Sequence, residues 1–400
     1  MTFCVFENKI ALNSAIFTTS NNSNSIGKSI SLMLESKLIF KSHQARSNQM
    51  SVTFKEVAKL AGVSTQTVSR VTNGSSSVAE ETKKKVLAAI DELGYVPNRG
   101  AQILSRAKAN VVGLITLDIG LHGISLIASS IRQHAQKKGY GISLSIVPDP
   151  AFDNMLSAIR ELKSQKVENI IFNLHVVKHD AEALVRQFPD LSFVFIDVPP
   201  NTKVSSVSAS NYEGAQTSAN LMLEHKRNKF ILISGPENSN ASRLRLQGWI
   251  DTVCSNDATI VHRFEGDWQA KSGYLSTKEA LTTGETFDAI LVANDQMALG
   301  VLRALDEQGV KVPEQVAVIG FDDTEDSAFF NPPLSTIRQD FAAIGEQAVD
   351  FVLNKEESES KRSIATTSLI ERQSTAIKQD SLYDKKEIQN LLNQINQLLP

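Results

Sequence analysis

Residues Val52–Gly74 read Val-Thr-Phe-Lys-Glu-Val-Ala-Lys-Leu-Ala-Gly-Val-Ser-Thr-Gln-Thr-Val-Ser-Arg-Val-Thr-Asn-Gly, and the segment they open closes on Tyr95-Val-Pro-Asn-Arg99. Thr53 can cap a helix, and Glu56 three residues on completes a capping box. Val57, Ala58 and Leu60 supply that helix with an apolar face. Gly62 makes the sharp turn and Ser64 caps a second helix. On the second helix Val68 and Val71 face inward, leaving Thr65, Gln66, Ser69 and Arg70 outward. A short helix, a Gly turn and a second helix that starts with hydrogen-bonding side chains form a helix-turn-helix pattern. Such a helix fits the DNA major groove, where Gln pairs bidentately with adenine and Arg with guanine. On pattern alone, a three-helix surface subdomain with solvated polar residues is the other reading.

Working outward, a third helix is predicted from Glu80 to Leu93. Val86, Ile90 and Leu93 face inward, Lys83, Lys84 and Lys85 lie toward the phosphate side, and Gly94 ends it. Pro97-Asn98 marks a break and a new N-cap. Asn98 to Arg106 then has the length of one short helix, too short to be stable alone in water. The string Ser-Thr-Gln-Thr-Val-Ser-Arg-Val resembles the DNA-binding headpiece of the lac repressor (LacI/GalR) family. That resemblance implies a helix-turn-helix in which Thr53, Ser64, Thr65, Gln66, Thr67, Ser69, Arg70 and Asn73 meet double-stranded operator DNA. It also implies a hinge helix that folds on the operator, with Asn98, Gln102 and Leu104 at the DNA and Leu104 wedged into the minor groove. Gly100 departs from the β-branched residue expected inside that hinge, at a cost of about 0.8–1 kcal/mol relative to Ala.

Charge supports the division. From Met50 to Lys108 there are nine Lys or Arg against five Asp or Glu, a net of +4; from Ala109 onward there are 27 against 37, a net of −10. Only the headpiece is built to meet phosphate. The hydrophobic fraction of 42% and charged fraction of 21% are those of an ordinary folded chain. Cys4 and Cys254 lie far apart and suggest neither a disulfide framework nor a metal site. No apolar run is long enough to span a bilayer and no secretory signal is evident, so a cytoplasmic protein without a membrane partner is expected. Residues 1–49 carry a Ser/Asn-rich tract and match nothing in the family. The expectation is that the working chain starts at Met50, the other reading being a disordered extension.

From Val111 to about Ile377 short apolar strands alternate with amphipathic helices. Strands are predicted at Val111–Leu117, Ile142–Ile146, Ile170–Phe172, Phe193–Asp197, Phe230–Ser234, Ala289–Ala293 and Val316–Phe321. Helices between them include Ile124–Lys138, Glu213–Leu223, Leu244–Thr252 and Ala298–Gln308. This alternation gives doubly wound parallel sheets covered on both faces, and the length fits two α/β subdomains with a cleft between them. The resemblance implies the same: a core like a periplasmic binding protein.

Ligands in such folds bind beyond the carboxyl ends of strands. Asp197 ends a predicted strand and Asn294-Asp295 and Asp322-Asp323 follow two others, although each alone is more often a helix cap than a ligand group. Arg245 can donate to two neighbouring hydroxyls, the Trp268 indole can cover the C–H face of a pyranose, and Asp or Asn oxygens accept from hydroxyls. The set suits a neutral sugar. The strings Arg-Leu-Arg-Leu-Gln-Gly-Trp, Glu-Gly-Asp-Trp, Leu-Val-Ala-Asn-Asp-Gln-Met-Ala-Leu-Gly and Thr-Ile-Arg-Gln-Asp-Phe resemble the galactoside-sensing branch of the family more than its purine- or ribose-sensing branches. By that resemblance Arg245, Asn294, Asp322, Asp197 and Asn173 hold sugar hydroxyls. Trp268, Phe341, Leu121 and Ile127 form apolar walls, with Gln339 beside them, and His122 and Asp326 form a bridging pair. Ala209, Leu117 and Ile124 depart from the family's Phe, Ser and Pro, which alters the end that receives the aglycone.

Ile388, Leu391, Leu392, Ile395, Leu398 and Leu399 form a stripe at spacings of three and four. The resemblance implies a homodimer joined through this helix into a dimer of dimers; a helix folded back on the core is the other reading. The expected organisation is residues 1–49 as extension, 50–96 as headpiece, 97–107 as hinge, 108–378 as two-lobed core and 379–400 as oligomerisation helix. No P-loop, nucleophile elbow or His-Glu-x-x-His motif occurs, and no catalytic residue, cofactor or metal is expected. The expected function is a repressor of a lactose/galactoside operon, released by a galactoside inducer. The rival is a sugar-binding receptor or sugar-processing enzyme with an incidental headpiece, which a gel shift with and without galactoside distinguishes.

Overall fold

The computed structural model describes residues 52–72, 77–95, 110–354, 360–376 and Gln394. The extension, Asn73, the hinge with Asn98, Gly100, Gln102 and Leu104, and all six residues of the C-terminal stripe lie outside those residues. The chain clusters into two compact units, Met1–Ser105 and Arg106–Pro400.

In the first unit, α1 (Phe54–Ala61), α2 (Thr65–Thr72) and α3 (Glu80–Leu93) enclose a small core of Val57, Ala58, Val68, Val71, Val86, Ala89 and Tyr95. The Thr53 backbone N–H donates to Glu56 Oε2 at 2.7 Å, the carboxylate half of the capping box. Gly62 adopts φ +67° after α1, a conformation that costs Gly little. Ser64 Oγ accepts the Thr67 N–H at 3.1 Å and so caps α2. Ile90 and Leu93 are partly buried against this core. Leu60, expected inward, is 46% exposed. Its place is taken by Ala61, which packs against the core one helical turn after Val57.

The second unit has two lobes. The first sheet runs in the order β11-β5-β4-β3-β1-β2 and every pair in it is parallel. Its strands are β1 (Val111–Thr116), β2 (Gly141–Ile146), β3 (Asn169–His175), β4 (Ser192–Asp197), β5 (Ser206–Ala209) and β11 (Arg362–Ala365). Alternate residues serve opposite faces. Ile115, Ile170, Phe172 and Phe195 pack under α5 (Phe152–Ser164) and α6 (Lys178–Gln187), with Phe172 and Phe195 stacked at 4.7 Å. Val112, Leu114, Ile171 and Val194 pack under α4 (His122–Lys137) and α11 (Phe341–Leu353). Burial on both faces is why these strands read as unbroken apolar runs. Asp350 ties the two helices, accepting from Lys138 Nζ at 2.7 Å and lying 3.0 Å from His134 Nε2.

The second sheet runs β12-β10-β9-β8-β6-β7. Its strands are β6 (Lys229–Ser234), β7 (Thr259–Glu265), β8 (Ala289–Val292), β9 (Ala317–Asp322), β10 (Ser335–Gln339) and β12 (Thr367–Ile370), the last antiparallel to β10. Around it lie α7 (Asn211–Glu224), α8 (Asn240–Ser255), α9 (Ala270–Thr282) and α10 (Asp295–Glu307). Trp249 is fully buried in this core and its indole N–H donates to Ser218 Oγ at 2.9 Å. The chain passes between lobes three times: between β5 and α7, between β10 and α11, and between β11 and β12.

Candidate functional site

Parallel strands end on one side of their sheet, and the carboxyl ends of the two sheets face each other across a cleft. A cavity of about 360 Å³ lies there. The structure brings all ten sequence-predicted ligand residues to its wall: Leu121, Ile127, Asn173, Asp197, Arg245, Trp268, Asn294, Asp322, Gln339 and Phe341. The divergent Leu117, Ile124 and Ala209 line it as well.

Arg245, on α8, is buried and held from several sides. Its Nε donates to Asn211 Oδ1 at 2.8 Å and its Nη1 donates to the Ala293 carbonyl. Nη1 also lies 3.6 Å from Asp322 Oδ1. The guanidinium carbon sits 3.7 Å from the Phe321 ring centroid and 5.7 Å from that of Trp268, within cation–π range. Burial pulls Arg245 below its ordinary pKa, and the charges of Asp322, Asp197 and Asp295 oppose that shift. Trp268 lies so close over Gly235 that a Cβ there would sit 2.4 Å from the indole.

The two strand-end doublets divide their labour. Asn294 faces the cavity and caps α10, its Oδ1 accepting the Met297 N–H and its Nδ2 donating to the Trp268 carbonyl, both at 2.9 Å. It is therefore cap and lining residue together. Asp295 does not line the cavity; it is buried behind it and accepts from Ser327 Oγ at 2.5 Å, Thr336 Oγ1 at 2.6 Å and the Thr324 N–H at 3.0 Å. Burial, then the charge of Asp322, push its pKa up to about 7. Asp322 faces the cavity and accepts from Gln339 Nε2 at 2.5 Å. Burial raises it to about 6, with Arg245 pulling it back. Asp323 instead pairs with Arg338 at 2.6 Å and Arg372 at 2.7 Å. Trp268, Asp322 and Asp323 have φ of 72°, 121° and 56°, sparsely populated conformations that cluster at functional sites. The Asp295 and Asp323 bonds hold two of them.

Asp197 ends β4 in the first lobe, yet both its oxygens are taken by the second lobe. Oδ2 accepts from Ser239 Oγ at 3.0 Å and Oδ1 from the Ala241 N–H at 2.9 Å. The carboxylate thus meets the first turn of α8, where the helix dipole favours it; burial raises its pKa. Asn240 Nδ2 to the Val198 carbonyl (3.0 Å) and the His122 N–H to Gln296 Oε1 (3.2 Å) also bridge the lobes. Asn173 Nδ2 donates to the Ile124 carbonyl at 2.9 Å. No ion pair joins His122 to Asp326 among the described residues; the charge of His122 acts on Asp322 instead.

Sequence reasoning missed Asn211, which orients Arg245, and Phe321, which lies against its guanidinium. Asn211 follows β5, a four-residue strand with no continuous apolar run, so the strand-end rule that selected Asp197 did not reach it. Phe321 carries only an apolar signal. In the headpiece, Thr53, Ser64, Thr65, Gln66 and Arg70 are exposed, while Thr67 and Ser69 are half-buried. Arg70 forms no ion pair among the described residues.

Comparison with known proteins adds two family matches: "Bacterial regulatory proteins, lacI family" over residues 53–98 and "Periplasmic binding protein-like domain" over residues 219–375. The chain is 36% identical over 326 residues to the lactose operon repressor of Escherichia coli K12, covering 81% of this chain and 91% of that one. It is 31% identical over 306 residues to the HTH-type transcriptional repressor PurR of Haemophilus influenzae (strain PittEE), covering 76% and 90%. Among solved structures, a crystal structure of the lac repressor dimer bound to operator and the anti-inducer ONPF superposes with a TM-score of 0.76. Its sequence is 36% identical, and the match covers 82% of this chain and 100% of that one.

Proposed function

The chain belongs to the lacI family of bacterial regulatory proteins, and from that membership we propose that it represses a lactose or galactoside utilisation operon and leaves its operator when a galactoside enters the cleft. It is a DNA-binding repressor rather than an enzyme, as its relatives are. The headpiece helix α2 lies in the major groove with Gln66 and Arg70 at base edges. Arg245, Asn294, Asp322, Asp197 and Asn173 hold sugar hydroxyls, while Trp268, Phe341, Leu121 and Ile127 cover the apolar face, with Gln339 beside Asp322. The chain acts as a dimer on two half-sites, and the apolar stripe near residues 388–399 joins two dimers.

One observation carries the sugar reading. Ten residues from eight separate segments meet at one cavity, and among them are a buried guanidinium, two carboxylates and three amides. Release follows if the sugar binds one lobe arrangement better than the other. The test is a gel shift with DNA flanking the chain's own gene, with and without β-galactosides. Binding that galactosides relieve supports the reading. Binding that only another sugar or a purine alters reassigns the effector, and absence of sequence-specific binding overturns the repressor role.

A further inference from the structure

His175 ends β3, two residues after Asn173, and its register partner on β4 is Asp197. The residue lines the cavity, yet its Nε2 is buried with no hydrogen-bond partner. Burial pulls its pKa below the ordinary histidine value, with Asp197 opposing that shift and Arg243 assisting it, which favours the neutral ring. A neutral imidazole carries one donor nitrogen and one acceptor. Nearly all buried polar groups in folded proteins are paired, so an unmatched one in a cavity wall marks a place where a ligand group completes the pairing. The ring is half-buried, so part of it is open at the cavity it lines.

Strand register places His175 along the cavity. Its partner on β4 is Asp197, and on its other side β3 pairs with β1, which leads into Leu117. Leu117, Ile124 and Ala209 line the same cavity and have no side-chain group to pair with the ring. A hydroxyl both donates and accepts, so it fits either imidazole tautomer. An anionic group would meet the Asp197 carboxylate.

We propose that His175 is a specificity-determining residue that pairs with a hydroxyl on the group attached to galactose, so that the chain prefers a galactoside with a hydroxylated aglycone to one with an alkyl aglycone. This rests on the galactoside reading above and deepens it. The cavity of about 360 Å³ falls within the roughly 300–1,000 Å³ of pockets that enclose drug-sized ligands, room for more than a single pyranose.

Calorimetric titration of the full chain with methyl β-galactoside, a galactosyl-glucose disaccharide and galactosyl glycerol tests the proposal. His175→Phe keeps the ring and removes the hydrogen bond. It should weaken disaccharide binding about five- to ten-fold, the worth of one neutral hydrogen bond, and leave methyl β-galactoside within two-fold. His175→Gln, which keeps a donor and an acceptor, should restore most of the loss. Galactosyl glycerol separates a second sugar ring from a simple polyol: a His175→Phe effect on both places the contact on any aglycone hydroxyl, and an effect on the disaccharide alone places it on a pyranose. Equal losses for all three ligands, or none for either hydroxylated one, overturn the assignment, with unchanged operator binding certifying that the variants fold. If the unaltered chain binds DNA but no galactoside, the galactoside reading itself fails, and this inference with it.

Discussion

Asp197 Oδ1 accepts the Ala241 backbone N–H at 2.9 Å, so a strand end in one lobe is bonded to a helix start in the other. Ser239, the N-cap of α8, donates to the second oxygen. Asp197→Ala removes the acceptor of both bonds and strands a part-buried N–H. A hydrogen bond contributes about 0.5–1.5 kcal/mol, so losing two is expected to destabilise the core by roughly 2 kcal/mol in urea denaturation. Ser239→Ala should cost about 1 kcal/mol, the usual worth of a cap. A loss of equal size in both variants would show that Asp197 adds nothing beyond the cap.

Arg245→Leu is expected to abolish release by galactoside while leaving operator affinity within about three-fold, because its partners Asn211, Ala293 and Asp322 all belong to the core. It should also lower stability, since breaking one half of a buried ion pair costs about 3–5 kcal/mol. Fluorescence anisotropy on labelled operator, with and without sugar, reads the first effect. Retained release would remove Arg245 from the ligand set.

Two of the raised carboxylates, Asp295 and Asp322, give a pH dependence. Asp295 at about 7 and Asp322 at about 6 stand above the ordinary value, so the folded chain binds more protons than the unfolded one between roughly pH 4 and 7. Their contribution to stability is therefore most favourable below that window and is lost as pH rises through it. At about 1.4 kcal/mol per pK unit, the loss is several kcal/mol. Asp295→Asn should flatten the stability–pH curve measured by urea denaturation. Galactoside affinity should move the other way, tightening from pH 5 to 7 as Asp322 ionises and becomes a better acceptor for hydroxyls. An affinity independent of pH over that range would remove Asp322 from the hydroxyl contacts.

Arg70→Ala is expected to cost about 1–3 kcal/mol of specific operator binding and much less of non-specific binding. Titrations at one fixed salt against operator and scrambled DNA decide it. An equal fall in both would make Arg70 a phosphate contact.

Legibility in the sequence followed the range of the signal. The three headpiece helices were readable because caps, turn glycines and helical periodicity act within a few residues of one another. The central strands were readable because burial on both faces demands continuous apolar runs. β5, β11 and β12 were not: they are four residues long, and sequences such as Ser206-Val-Ser-Ala carry no such run. β7 is an edge strand with its polar residues facing out. In the cleft, strand-end position and family resemblance identified the lining set. Strand-end position alone could not separate Asp322 from Asp323, or Asn294 from Asp295; only the resemblance named one member of each. Which member of a doublet faces the cavity depends on partners tens of residues away, such as Thr336 and Arg372.

The three crossings between lobes also fix the order in which the molecule can be made. The first sheet takes its edge strand from residues 362–365, and the second takes its own from residues 367–370. During synthesis neither lobe can close until almost all of the core has left the ribosome, however early its other strands emerge. A stop codon before residue 362 spares neither lobe, because it removes an edge from both sheets at once. Shortening the chain from this end should therefore abolish folding abruptly at that boundary rather than yield an intact first lobe.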